Sequence, residues 1–157
     1  MDDRLFRDAM GKFATGVTVL LTENDGETHG MTANGFMSVS LDPKLVVISI
    51  GHKAKFLEKV AQSKKYTVNI LAEDQEHYSR HFAGRPGEAV EFEKLAGLPV
   101  LKGAIAQIVC EVVAEHVEGD HTLFIGKVTD LQVEDKKPLL FFGGKYRQLV
   151  DFITVES

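Results

Sequence analysis

The segment Gly30–Ser40 has the composition of a backbone that binds a ligand. It places two glycines, an alanine and four small polar side chains among apolar residues. Without large side chains, a planar ligand can approach the backbone closely, and the hydroxyl and amide groups can anchor its polar edge. A polar-rimmed strand and turn explains the same composition equally well, so both interpretations stay open on the residues alone.

Two shorter segments carry related chemistry. Gly119-Asp120-His121 is a tight turn that presents an imidazole at the start of a strand, although turn chemistry with an incidental histidine explains it as well. Gly143–Arg147 is a flexible glycine pair followed by an aromatic ring between two cations, which suits an anionic aromatic ligand. Each signal is weak by itself.

The remaining reactive residues favour structural roles. His77 and His81 are four residues apart on a predicted helix and would supply two zinc ligands, but the H-E-x-x-H glutamate and a spaced third ligand are absent. A solvated helix face is therefore favoured, and no metal site is predicted. Cys110 lies mid-strand on an apolar face, where a thiol is inert packing.

Composition limits the classes of protein. The 157 residues are 44% hydrophobic with a formal net charge of -5, which predicts a single domain over residues 1–157. Scattered lysines argue against nucleic-acid binding, and the longest apolar run, Leu45–Ile50, is far shorter than the roughly 20 residues that span a bilayer. One cysteine and a charged first segment predict a cytoplasmic enzyme or ligand-binding module.

Apolar spacing predicts mostly strands. A short amphipathic helix at Leu5–Phe13 precedes a hairpin that turns at Asn24-Asp25-Gly26. Ala104–Val117 fits a helical stripe and a strand face equally, and its Val and Ile content favours a strand that continues through a second hairpin at Glu118–Asp120. The other predicted elements are strands at Phe36–Ser40, Leu45–Ile50, Tyr66–Leu71 and Leu139–Phe142, and helices over Lys53–Lys64 and Glu73–Ala83. Short helices that do not alternate regularly with the strands favour a closed or partly closed antiparallel β-barrel over a doubly wound sheet.

An ordered set of motifs resembles the flavin reductase family, from about Leu5 to Tyr146. The motifs are Gly16–Val19, Gly30–Asn34, Ser38–Pro43, Val68–Ala72, Gly119–Gly126 and Pro138–Phe142. Members of this family form a mainly β, split (Greek-key-like) antiparallel β-barrel with a few short helices. The chain is most similar to the small reductase components of two-component phenol and 4-hydroxyphenylacetate hydroxylases.

The resemblance implies roles for particular residues. His121 matches the histidine near the nicotinamide, Tyr146 lies near the same mouth, and Phe82 and Arg85 flank the cofactor. The residues implied to line the flavin ring and ribityl chain are Met31, Thr32, Ala33, Asn34, Ser38, Val39 and Ser40, and those near its phosphates are His52 and Lys53. Many relatives carry Ser where this chain has Gly35, which removes one hydroxyl contact.

The resemblance also implies a reaction and partners. A hydride would pass from NADH to a flavin, FAD or alternatively FMN, when the two rings stack roughly 3–3.5 Å apart. Such chemistry needs positioning rather than a side-chain acid and base. The chain would act as a homodimer and supply reduced flavin to a separate aromatic monooxygenase. The alternative is a non-catalytic flavin-binding or electron-carrier protein of the same fold.

Overall fold

The computed structural model describes residues 1–87 and 89–152, and these residues form three helices and twelve strands. Each strand pair is antiparallel, so the predicted mainly β, antiparallel class is confirmed. The helices are α1 (Asp3–Gly11), α2 (Phe56–Ser63) and α3 (Glu76–Phe82). The strands are β1 (Thr15–Gly16), β2 (Thr18–Asn24), β3 (Glu27–Ala33), β4 (Phe36–Ser40), β5 (Leu45–Gly51), β6 (Lys65–Ile70), β7 (Phe92–Leu95), β8 (Leu98–Leu101), β9 (Ala106–Glu118), β10 (His121–Val133), β11 (Leu139–Phe142) and β12 (Lys145–Gln148).

Seven of these strands form one sheet in the order β3-β2-β6-β9-β10-β5-β4. Its edge strands β3 and β4 are consecutive in the chain and are joined by Asn34 and Gly35. A three-stranded sheet of β1, β11 and β12 and the β7-β8 hairpin lie outside it. Asn34 therefore lies in the short connection that joins the two edge strands of the large sheet.

Strand β2 is buried on both faces, with every residue from Thr18 to Thr22 buried. Because side chains alternate along a strand, Leu20 joins one apolar cluster, with Val68 and α2, while Val19 and Leu21 join a second. The second cluster includes Tyr78 of α3 and residues of β8 and β11. Strand β2 thus holds α3 and β11 on the opposite face of the sheet from α2.

Most predicted elements agree with the structure, with shifted boundaries. The ambiguous segment Ala104–Val117 is a strand, β9, and the turn between β2 and β3 places Asp25 and Gly26 at positive φ. The two internal helices begin later than predicted, at Phe56 and Glu76, because the preceding residues form turns such as the Ala54 N–H to Gly51 carbonyl bond. Two features were not predicted: the β7-β8 hairpin and strand β12.

Helix α1 is amphipathic as predicted, but none of its residues is buried. Phe6 and Met10, and Phe13 just beyond the helix, keep more than half of their surface exposed. This apolar side instead lines two surface cavities near Asn34. Among the described residues, no helix has the length and apolar character needed to cross a membrane.

Tyr66 and Cys110 are fully buried side by side in the first apolar cluster. Burial raises the pKa of the Cys110 thiol to about 12 and raises the pKa of Tyr66 as well, so both groups stay protonated at neutral pH. Tyr66 donates a hydrogen bond to the carbonyl of Phe124 (3.3 Å). Cys110 is therefore packing, as its position in the sequence predicts.

Gly126→Ala is expected to destabilise the fold. A Cβ at this position would lie 2.7 Å from Cζ of Tyr66 and 2.9 Å from Cβ of Cys110, both in the closed core. Overpacking of this kind costs about 1–3 kcal/mol of unfolding free energy, which urea denaturation followed by circular dichroism measures. Gly16→Ala is the control, because no atom lies within 4 Å of the added Cβ. Equal urea midpoints for the two variants would contradict the packing described.

Candidate functional site

Asn34 lies where three cavities meet. A cavity of about 230 Å³ is lined by Thr32, Ala33, Asn34 and, from the other side, Tyr146. A second, of about 850 Å³, extends from Asn34 to His121 and α1, and a third, of about 640 Å³, runs beneath Phe13 and Phe36. The structure therefore brings Thr32, Ala33, Asn34, His121 and Tyr146 around one cleft. We call the first of these the Asn34 cavity.

The wall of the Asn34 cavity opposite β3 is built from α3 and β12. The Thr32 hydroxyl donates to the carbonyl of Ser79 (2.5 Å), and the Ser79 hydroxyl pairs with the Tyr146 hydroxyl (2.7 Å). The ring of Phe141 meets that of Tyr146 edge-on, with centroids 5.3 Å apart. These contacts hold Tyr146 across the cavity from Asn34.

Gly30 allows α3 to approach β3. A Cβ at position 30 would lie 2.7 Å from two ring carbons of Phe82, so the aromatic ring occupies the space that a side chain would fill. Phe82 packs against the second apolar cluster and meets Phe92 edge-on. Phe82 thus supports the wall of the cleft from behind rather than lining the cavities described above.

His121 opens β10 at the far end of the cleft, opposite Gly51 of β5. Its Nδ1 lies 2.8 Å from the Asp120 carboxylate, and this hydrogen bond and the imidazole charge lower the pKa of Asp120. The carboxylate therefore stays ionised to lower pH than an isolated aspartate. With Nδ1 occupied, Nε2 is the ring nitrogen left for a ligand.

His52 and Lys53 follow β5 beside His121. The Nε2 of His52 lies 3.0 Å from the Thr122 hydroxyl, and its backbone N–H donates to the carbonyl of Asp120 (2.9 Å). Lys53 is exposed. Neither residue lines the cavities around Asn34, so their predicted contact with phosphates stays a prediction.

The other predicted ligand residues are placed differently. Met31 packs its side chain against the first apolar cluster, which leaves its backbone for a ligand. Ser38, Val39 and Ser40 lie on edge strand β4 with a bulge between Ser38 and Ser40, and they do not line the cavities around Asn34. Arg85 lines a neighbouring cavity that shares Tyr146 with the Asn34 cavity.

Within the part of the chain that the structure describes, His77 and His81 have no third metal ligand beside them. His77 is exposed, while Nδ1 of His81 accepts a hydrogen bond from the backbone of Gly87 (3.4 Å). Across residues 1–87 and 89–152, no three histidine, cysteine or acidic side chains are gathered as metal ligands. His77 thus lies on the solvated face predicted for this helix, while His81 is half-buried with its ring edge-on to that of Phe82.

The cleft suits a planar ligand with polar edges. The Asn34 side chain is exposed, and the Thr32 hydroxyl retains acceptor capacity. The Asn34 cavity alone is smaller than the roughly 300–1,000 Å³ of ligand sites, while each of the two neighbouring cavities that share Asn34, about 850 and 640 Å³, falls within that range. A flavin ring fits this combination of backbone, hydroxyl and amide groups.

Comparison with known proteins shows the family. A family model described as flavin reductase like domain matches residues 10–150. The chain belongs to the flavin reductase family. A Rhodococcus NADH-dependent flavin reductase is 47% identical over 148 residues, covering 91% of this chain and 84% of the relative. The 4-hydroxyphenylacetate 3-monooxygenase reductase component of Thermus thermophilus is 40% identical over 146 residues, covering 92% and 95%.

Structural comparison agrees with this membership. The solved structure of the flavin reductase PheA2 superposes with a TM-score of 0.94 at 65% identity and covers 96% of this chain and all of its own. The resemblance inferred from the sequence motifs is confirmed.

Some residues of the cleft were not predicted. Ser79 and Phe141 reach it from α3 and β11, which are distant from Gly30–Ser40 in sequence, and Arg80 lines the neighbouring cavity that shares Tyr146. For Ser79 the available signal was its place next to Tyr78 on the buried face of a helix. For β12, the signal was the Gly143-Gly144 pair, since two glycines between apolar runs are typical of a hairpin.

Removing the Ser79–Tyr146 hydrogen bond is expected to show that the two hydroxyl groups contribute jointly to the free energy of unfolding. In Ser79→Ala, Tyr146→Phe and the double variant, urea unfolding is expected to give an interaction free energy of about 0.5–1.5 kcal/mol, since each single variant already breaks the bond. The unmodified protein completes the double-mutant cycle. Additive effects, within about 0.3 kcal/mol, would show that the two hydroxyl groups do not interact.

Proposed function

We propose that this protein is an NADH-dependent flavin reductase that reduces FAD, or alternatively FMN. Two observations together support the proposal: the family match over residues 10–150, and the cleft in which Asn34 and its neighbours face Tyr146. The Rhodococcus relative carries this activity in its name. The non-catalytic alternative is not favoured, since the relatives described are reductases.

Positioning is the main contribution of the protein in this mechanism. A flavin held by Asn34, Thr32 and Tyr146 would supply the redox chemistry, as acceptor of the hydride of NADH. Asn34 and Thr32 provide polar groups to the ring edge, and Tyr146 and Phe141 cover it from the other side. His121, held by Asp120, orients the nicotinamide. Phe6 and Phe13 reduce the access of water.

The remaining predicted contacts belong to the same proposal. His52 and Lys53 lie at the His121 end of the cleft and serve flavin phosphates, and Phe82 and Arg85 flank the cofactor. The residues that complete the flavin contact set are Met31, Ala33, Ser38, Val39 and Ser40. The seven-stranded sheet, with β3 and β4 as its two edges, is consistent with the split barrel of the family.

Partners follow from the same proposal. The Thermus relative is named as the reductase component of a monooxygenase, and we propose that this protein also supplies reduced flavin to a separate aromatic monooxygenase. We also propose a homodimer, because the apolar side of α1 and the exposed Met37, Val39 and Leu41 beside the sheet edge would be covered by a second copy. The cytoplasmic location stays a prediction from the sequence.

The proposed activity is tested by mixing the purified protein with NADH and each flavin in turn. We expect rapid loss of NADH absorbance with FAD or FMN, and slow loss when flavin is omitted, because the hydride acceptor is then missing. Anaerobic bleaching of the flavin identifies the acceptor directly. Flavin binding without NADH oxidation would reject the reductase in favour of a carrier.

His121→Ala is expected to raise the NADH KM about tenfold while flavin affinity changes less than about twofold, because His121 positions the nicotinamide rather than the flavin. Asp120→Asn should raise the NADH KM by a smaller factor, since it weakens the hydrogen bond that orients His121 and leaves the imidazole in place.

His116→Ala is the matched control, as an exposed histidine on the neighbouring strand β9 that lines none of the cavities described. An unchanged NADH KM in His121→Ala would remove this residue from the nicotinamide site.

A further inference from the structure

Gln75 is a buried polar side chain that joins two segments of backbone. It is 6% exposed and lies just before α3. Its Oε1 accepts a hydrogen bond from the N–H of Ala72 (3.0 Å), in the connection between β6 and α3. Its Nε2 donates to the carbonyl of Lys102 (3.0 Å), in the connection between β8 and β9. Gln75 lines none of the cavities described above, so any effect on a ligand must pass through its neighbours.

The backbone of Gln75 begins α3. Its N–H donates to the carbonyl of Ala72 (2.9 Å), and its carbonyl accepts from the N–H groups of Tyr78 (3.0 Å) and Ser79 (3.3 Å). The hydroxyl of Ser79 pairs with that of Tyr146. Because one residue makes the side-chain and the backbone contacts, Gln75 fixes the first turn of α3 against the β8-β9 connection, and with it the position of Ser79.

The β8-β9 connection fits closely around the Gln75 amide. Gly103 lies in this connection with a φ of +85°, and a Cβ at position 103 would lie 2.9 Å from Nε2 of Gln75. The amide therefore packs directly on the backbone of the turn, where any side chain would displace it.

The segment that Gln75 holds also positions β11. Ala72 pairs with Pro138 in an isolated β-bridge, just before β11 begins. From β11, the ring of Phe141 meets that of Tyr146 edge-on. Two elements thus support Tyr146, α3 and β11, and Gln75 lies close to where both begin.

We propose that Gln75 is a positioning residue for flavin binding, which acts through Ser79 on Tyr146. This rests on the proposed function, in which Tyr146 covers the ring of a flavin held at Asn34. A primary amide suits this position because it offers a donor and an acceptor at the end of one side chain. Loss of the amide leaves two buried backbone groups without partners, and α3 is expected to shift until they are satisfied.

Gln75→Met tests the proposal, because methionine has a similar length but lacks the amide. We expect the Kd of FAD or FMN, measured by titration of flavin fluorescence, to rise about fivefold as Tyr146 is displaced. In Tyr146→Ala the aromatic wall is already absent, so adding Gln75→Met should change the Kd by less than about twofold. Equal effects of Gln75→Met with and without the Tyr146 ring would overturn the proposal.

Thr67→Val is the matched control for stability. Thr67 of β6 is also buried, and its hydroxyl donates to the carbonyl of Pro99 on β8 (2.8 Å), so its loss breaks a buried hydrogen bond that does not involve α3. Both variants should lower the urea midpoint, whereas only Gln75→Met should weaken flavin binding. Equal weakening by Thr67→Val would assign the effect to stability and overturn the proposal.

A second pair of variants tests the same contact without replacing Gln75. Gly103→Ala brings a Cβ against the amide, whereas Gly97→Ala adds a Cβ with no atom of the described residues within 4 Å. Both glycines have positive φ, +85° and +82°, so the backbone strain is matched. We expect the flavin Kd to rise about threefold in Gly103→Ala and to stay unchanged in Gly97→Ala. Equal Kd values for this pair would overturn the proposal, also where Gln75→Met fails to fold.

Failure of the proposed function is distinguishable from failure of this proposal. The first shows in the unmodified protein, as absence of flavin binding and of NADH oxidation. The second shows only in the variants, as an unchanged flavin Kd in a protein that oxidises NADH normally.

Discussion

The close approach of α3 to β3 determines the shape of the cleft. Phe82 lies against the backbone at Gly30, where any larger residue would collide with the ring, and Thr32 satisfies the carbonyl of Ser79 one turn earlier on the same helix. Ser79 then holds the Tyr146 hydroxyl. Gly30 and the hydroxyl groups of Thr32 and Ser79 thus fix the distance between the large sheet and Tyr146 on the three-stranded sheet. The dimensions of the Asn34 cavity depend on that distance.

Function in this fold depends on positioning and on the distribution of charge rather than on reactive side chains. The single cysteine is buried and protonated. Ionisable groups surround the cleft at β10 (His121 and Asp120), at α1 (Arg7, Asp8 and Lys12) and at α3 and β12 (Arg80 and Lys145). The Asn34 cavity itself is lined by neutral side chains. Hydride transfer between stacked rings needs no reactive side chain, because the cofactors carry the chemistry while the protein fixes their distance and orientation.

An element could be predicted from the sequence when its own residues determine its structure. Strand β5 alternates buried and half-buried side chains from Leu45 to Gly51, so its apolar run was recognisable. Strands β7, β8 and β12 are four residues each and depend on a partner strand for their hydrogen bonds, which a single segment does not reveal. In the site, the motif Gly30–Asn34 was found because its composition is unusual, whereas Ser79 and Phe141 were missed because their place beside Asn34 depends on contacts between segments far apart in the chain.

The sequence by itself determined the class of fold, the family and the identity of the segments that carry chemistry, because composition, alternation and motif order are local properties of the chain. Only the tertiary structure decided which segments meet. It brought Tyr146 to Asn34 and Arg80 to the Tyr146 ring, turned the side chain of Met31 into the core and left the apolar side of α1 exposed. Those outcomes depend on strand order and on the packing of helices against particular faces of the sheet, and such contacts join residues far apart in sequence.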